Sequence, residues 1–374
     1  MFLGENEEYL QEYLEYEKQY LDLIHHIDTS YPKPLNSKEE RKKFFKKLKK
    51  KEIYNPQFKF ENKEISEESL QKLQELSSSI KLYKDEYHLK KLLKEKIEED
   101  ILLLKCHKQW GNKHSCNYSI KIYNSPSVFL VLRAKLFCRN FQRERVKFKR
   151  ITAKKVGEEL QREVKRLTGD TIKIQYKRLA NKMNIIAHSK LIEINPQESF
   201  TSLDLERLKV HEIGVHYMRY YNAKQLTPIK LFERGTNEYI STEEGLAVYS
   251  EERAGVLSKA QMYIYAGRVL ATYYAQKMDF YSLYHYLKQY GYKDNDAFSL
   301  ALRAKRNLED TSKLGGYTKD HIYFRGYYEV KAFAKKYPLH HLFFGKFKIE
   351  DYKYLKPLII AHEKEIKTIF MNKK

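Results

Sequence analysis

The chain has 374 residues, 42% of them hydrophobic and 32% charged, with only 14 Gly and 8 Pro. Such a composition buries a sizeable core, which excludes collagen-like, linker-like and wholly disordered classes, and at roughly 150 residues per domain it fits one large domain with an appendage, or two domains. Lys and Arg number 71 against 49 Asp and Glu, and the formal charge of +22 favours an acidic partner: nucleic acid, an anionic membrane surface or an acidic protein segment.

From Glu5 to Ile27 the apolar positions Leu10, Tyr13, Leu14, Leu21, Ile24 and Ile27 recur at helical spacing. This first segment is acidic and lacks a basic region followed by an apolar one, so it is not expected to act as a signal peptide. Beyond a turn at 28–37, Ser37 and Glu40 predict a capping box for a second helix carrying RKKFFKKLKKK, residues 41–51. That run is a solvated basic face with Phe44, Phe45 and Leu48 as anchors, or an amphipathic surface for a membrane or an acidic partner.

Residues 66–105 predict two helices broken near Ser77–Ser79, and 125–169 predict one long helical stretch ending at Gly169. Short strands are expected at 171–176 and 191–195, a helix at 203–221, and mostly helix thereafter, with loops near 222–241 and 310–318. The fold class is α+β, dominated by helix. Residues 1–60 form a Lys-rich helical extension, and residues 61–374 form the main domain. The longest apolar uncharged stretches, such as 128–132, are about five residues, far short of the ~20 that span a bilayer. Cys106, Cys116 and Cys138 make no disulfide framework for this length, so a soluble, cytoplasmic protein is expected.

One stretch carries chemistry. His211, Glu212 and His216 form HExxxH in HEIGVH. Zinc sites use neutral imidazoles, and a neighbouring carboxylate takes a proton from the attacking water. In the commoner HExxH the two histidines lie about 40° apart on an α-helix, whereas the i, i+5 spacing here puts them about 140° apart. Both reach one metal only if the turn is widened, as a π-bulge does, and Gly214 sits inside that turn. A third ligand is expected from a second helix, where Ser-Thr-Glu-Glu-Gly-Leu-Ala occupies 241–247. Gly245 and Ala247 would let that helix approach the first. Spacing alone does not choose between Glu243 and Glu244, and Ser241 to Glu244 also reads as a helix cap.

HEIGVH followed by TEEGLA resembles the microtubule-associated tyrosine carboxypeptidase (MATCAP) family and its prokaryotic QEGLA-motif relatives. The likeness extends to IYNPQFKF (53–60), to residues 208–222 with Arg219 and Asn222, and to Tyr317-Thr318-Lys319-Asp320 with Ile322, Tyr323 and Gly326. Agreement covers roughly residues 50–340. It departs at Arg306-Asn307, where the family has Arg-Gly.

The resemblance implies a zincin-like metallopeptidase domain with a small sheet, one zinc per chain held by His211, His216 and Glu244, and Glu212 as general base. It also implies a carboxypeptidase that removes a C-terminal tyrosine-like residue from an acidic protein or peptide tail. Tyr323 is the candidate oxyanion donor. Arg306 and Lys319 are candidate partners for the substrate carboxylate, with Arg219 serving equally well as a structural residue. The rival reading is a basic nucleic-acid- or membrane-binding protein whose HExxxH holds no working metal. Cys106-His107 with His114 and Cys116 lacks finger spacing, with Trp110 and Gly111 between them fitting a plain loop, and the adjacent pairs His25-His26 and His340-His341 read as surface residues.

Overall fold

The computed structural model describes residues 7–27, 31–61, 64–82, 88–142, 148–179 and 181–370. Helices dominate, with two small sheets inserted before the histidine motif. Among the described residues no helix is long and apolar enough to cross a membrane.

The first helix, Glu7–His25, buries Tyr9, Tyr13, Tyr20 and Ile24 against helices Glu67–Ser79 and Leu89–Lys108. Its buried Glu17 accepts hydrogen bonds from the backbone amides of Lys230 (3.0 Å) and Leu231 (2.7 Å), fixing the short turn Leu231–Arg234. The basic helix, Ser37–Lys49, starts without the expected capping box. Glu40 instead accepts from Tyr54 Oη (2.6 Å) and from the Gln57 amide (2.8 Å), and so holds the strand-like NPQF segment. Phe44 packs onto Phe280, Tyr284 and Phe298, which leaves most of the lysines solvated.

The stretch 125–169 is not one helix. Ser127 caps Val128–Arg139 and Thr152 caps Ala153–Thr168, and the strand Arg150–Ile151 between them pairs with Phe200–Thr201. Lys173–Tyr176 and Leu191–Ile194 are strands as expected, and they pair in parallel. A third strand, Met183–Ile186, pairs antiparallel with the second and completes a sheet that the sequence reading lacked. This sheet and helix Ala153–Thr168 bury Val156, Leu160, Ile192 and Ile194 together with Ile213 and Tyr217. The histidine segment is therefore packed against the sheet through its own apolar residues.

Thr201 and Asp204 form a true capping box that starts helix Ser202–Leu208, which runs without a break into Lys209–Tyr217 and Met218–Leu226. Helix Tyr239–Arg253 crosses helix Ile322–Phe333 where Gly245 meets Gly326; a Cβ on Gly245 would lie 2.2 Å from the Gly326 carbonyl carbon. The close approach expected of Gly245 is thus real, but towards Ile322–Phe333 rather than the histidine segment.

Candidate metal centre

The segment Lys209–Tyr217 is π-helical, and the Met218 amide donates to the carbonyl of Ile213, five residues back. This wider turn brings the i, i+5 pair to one side: the His211 and His216 ring centroids are 4.8 Å apart. Gly214 lies inside this turn as expected, and a Cβ there would also meet the Ile369 side chain at 2.7 Å. Its lack of a side chain makes room for the C-terminal segment.

Glu244 Oε2 stands 3.4 Å from His211 Nε2 and 3.9 Å from His216 Nε2. Its other oxygen accepts from Tyr323 Oη at 3.0 Å, whereas Oε2 is buried with no hydrogen-bond partner. A buried orphan carboxylate oxygen is costly unless a cation meets it. Glu212 also brings an oxygen within 4.8 Å of the ligand nitrogens of both histidines, but it is half-buried, on the cavity side. Two carboxylates thus face the histidine pair.

Behind the pair stands a second layer of carboxylates. His211 Nδ1 lies 2.8 Å from Glu251 Oε1, and His216 Nδ1 lies 2.9 Å from Glu243 Oε1. Arg207 grips Glu251 through two bonds of 3.1 Å. Arg219 pairs with Glu243 and also donates to the carbonyls of Gly345 (2.9 Å) and Phe347 (3.1 Å). Carboxylates on Nδ1 turn both Nε2 atoms towards Glu244, the arrangement that metal-ligating histidines use. Glu243 and Glu244 are therefore distinguished by geometry: one supports His216 from behind and the other faces both Nε2 atoms.

The electrostatics ask for positive charge. Burial opposes a proton on His211, but the carboxylates of Glu244 and Glu251 outweigh it and push the pKa well above the usual imidazole value. Burial would raise the Glu243 and Glu244 carboxyls, yet Arg219 with Lys346 for the first, and the two imidazoles for the second, hold them low. Tyr323, buried beside Glu244, has its phenol pushed well above 10 and stays protonated. Its ring stacks on Tyr265 with centroids 5.2 Å apart, and the Arg268 guanidinium lies 4.5 Å over its centroid.

A cavity of about 860 Å³ opens onto His211, Glu212, His216, Glu244 and Tyr323. Lys230, Arg234 and Lys346 also line it, none of them singled out in the sequence. Arg306 is not among its lining residues; it bonds Asp320 at 3.1 Å and lies over the Tyr317 ring. Lys319 donates to Tyr31 Oη at 3.2 Å and borders a smaller space of about 310 Å³, which shares Arg234, Tyr239 and Ile240 with the larger one. Glu251 was missed, although it lies seven residues beyond Glu244 and so on the same helix face. Cys106 donates to the Ser115 carbonyl, and all three cysteines are free and buried.

The description "Microtubule-associated tyrosine carboxypeptidase" belongs to the family whose model matches residues 42–364. Putative tyrosine carboxypeptidase MATCAP2 of Mus musculus is 30% identical over 168 residues, 43% of this chain and 32% of its own. Microtubule-associated tyrosine carboxypeptidase 1 of Homo sapiens is 32% identical over 162 residues, 41% of this chain and 33% of its own. The matched part of the chain spans about a third of the length of these curated relatives. With the family match running over most of its length, the chain belongs to the microtubule-associated tyrosine carboxypeptidase family.

Proposed function

We propose that the chain is a zinc-dependent, zincin-like metallopeptidase that acts as a carboxypeptidase on an acidic protein or peptide tail ending in a tyrosine-like residue. One observation carries this reading: two imidazole Nε2 atoms, each backed by a carboxylate on Nδ1, converge on the buried Oε2 of Glu244, at 3.4 and 3.9 Å. His211, His216 and Glu244 would hold the ion. Zinc bound there would supply a Lewis acid and lower the pKa of the attacking water.

Glu212, half-buried on the cavity side, takes the proton from the attacking water and delivers it to the leaving amine. Tyr323, kept protonated by burial, donates to the developing oxyanion. The C-terminal side chain enters the space bordered by Tyr31, Tyr123 and Tyr239, with Lys319 at its edge to pair with the terminal carboxylate. The names of the relatives suggest a tyrosine side chain, and an aromatic ring gains most from burial among rings. The charge of +22 steers an acidic tail towards the chain. Free, buried cysteines fit a reducing, cytoplasmic setting.

A peptide ending in Glu-Glu-Tyr tests this. Mass spectrometry of the products should show loss of the terminal tyrosine from the free acid and no cleavage of the C-terminal amide. Lys319→Ala should lose most of that activity, and Arg306→Ala examines the other cation. Internal cuts, or equal cleavage of acid and amide, would overturn the exopeptidase reading. Salt-dependent nucleic-acid binding without turnover would favour the basic binding protein instead.

A further inference from the structure

We infer that His340, His341 and Glu363 form a second metal site, for a divalent transition-metal ion of the zinc class, on the C-terminal part of the chain. Adjacent histidines diverge on a strand and lie about 100° apart on an α-helix, so the sequence reading placed this pair on the surface. The structure corrects that for His341, which is buried, while His340 stays partly exposed. His340 and His341 lie on the 3₁₀ turn Leu339–Phe343, and Glu363 follows the end of helix Tyr352–Ala361. Both Nε2 atoms reach the same oxygen, Glu363 Oε1, each at 3.0 Å. The ring centroids are 4.7 Å apart with their planes at 77°.

This geometry fits an ion with little movement. Zinc–nitrogen and zinc–oxygen bonds of about 2.0–2.2 Å set neighbouring ligand atoms of a tetrahedral site roughly 3.3–3.6 Å apart. The two Nε2-to-Oε1 distances are hydrogen-bond contacts of 3.0 Å that open by a few tenths of an ångström (about 0.3–0.6 Å) to admit the ion, and all three ligand atoms fall within 4.8 Å of one another. The remaining nitrogen of His341 is engaged as well: Nδ1 lies 2.7 Å from Tyr352 Oη, which fixes the ring with Nε2 facing Glu363. His340 and Glu363 are partly exposed, with side chains 33% and 40% accessible, so an ion and its waters reach the site from solvent. Two imidazoles and one carboxylate suit Zn²⁺, with Ni²⁺ and Cu²⁺ as competitors, and they do not suit Ca²⁺ or Mg²⁺, which take oxygen ligands.

The site is separate from the candidate catalytic centre but touches its support. Its 3₁₀ turn carries Phe343, whose carbonyl accepts from Asn222 Nδ2 at 2.8 Å. Just beyond it, Gly345 and Phe347 offer their carbonyls to Arg219, the partner of Glu243. A bound ion would clip the end of the last helix to the segment on which Arg219 is anchored.

The full chain, stripped with a chelator and checked for retained helicity by circular dichroism, is titrated with Zn²⁺ alone and its bound metal counted. The titration is done in a His211→Ala background, which silences the other centre. One equivalent should bind there, with an upward shift in melting temperature, and it should be lost in the His211→Ala chain that also carries His340→Ala and Glu363→Gln. His114→Ala, at an exposed histidine elsewhere, should change nothing. No zinc in the His211→Ala background, or an equivalent that persists without His340 and Glu363, would overturn the inference. The His340→Ala, Glu363→Gln chain with His211 intact reports separately on the first centre, so failure of one site is not mistaken for failure of the other.

Discussion

Two clusters in this chain set a pair of imidazoles against a glutamate, and their surroundings differ in one decisive respect. At His211 and His216 both Nδ1 atoms meet further carboxylates, Glu251 and Glu243, in a buried setting. At His340 and His341 the one inner contact is the Tyr352 hydroxyl, and Glu363 stands partly in solvent. Burial disfavours charge at both, yet His211 ends well above the ordinary imidazole value and His341 below it. At His211 the bonded Glu244 and Glu251, with Glu212 nearby, outweigh burial, whereas at His341 the single Glu363 does not outweigh burial together with the positive charge of His340 and Lys356. A buried excess of negative charge calls for a cation, whereas a single exposed glutamate is satisfied by two imidazole N–H groups. The first cluster should therefore hold metal far more tightly than the second.

The largest effect that sharpens this contrast is chemical. Glu212→Gln should leave the metal count at the first centre unchanged and reduce peptide hydrolysis by about 10²–10⁴-fold, the usual worth of a positioned general base. Unchanged turnover would move that role to another residue.

Next comes the support behind His216. Glu243→Gln keeps an oxygen for Nδ1 but leaves Arg219, 0% exposed, without its counter-charge. Removing one partner of a buried pair costs about 3–5 kcal/mol, here offset in part by the bonds of Arg219 to Gly345 and Phe347. Chemical denaturation should show a loss of that order, with zinc retained. Loss of zinc at unchanged stability would make Glu243 the ligand and break the distinction between ligand and support.

The same comparison explains what the sequence made legible. HEIGVH and TEEGLA announce themselves because their residue types are chemical, and most helices follow from their apolar periodicity. The convergence of histidines five apart depends on a π-helical turn, and that of adjacent histidines on a 3₁₀ turn with a distant glutamate. The i, i+5 spacing predicted the first of these turns, whereas nothing in the sequence signals the second. Partners distant in sequence were equally hidden: Glu40 looks like a cap residue but binds the 54–57 segment, and Gly245 looks like a spacer for the wrong helix. The strand Met183–Ile186 is four residues long and becomes a strand through its pairing with Leu191–Ile194.

A third buried imidazole extends the series to no bonded carboxylate at all, and it carries the smallest effect. His321 Nδ1 donates to the Thr318 carbonyl at 2.7 Å, and its Nε2 is buried with no hydrogen-bond partner. Burial, aided by Arg325, pushes its pKa down from 6.5 to about 4. Between those values the unfolded chain holds a proton that the folded chain refuses, so the unfolded state binds more protons and stability falls as pH falls. At 1.36 kcal/mol per pH unit the loss reaches about 3 kcal/mol by pH 4, and above pH 6.5 the group contributes no slope. His321→Asn keeps an N–H donor for Thr318 and removes the titration. Urea denaturation of both chains across pH 4 to 7 should show the wild type losing stability relative to the variant only on the acid side. Parallel curves would mean that the folded chain admits the proton, and that the balance of burial against neighbouring charge does not set the charge of its buried histidines.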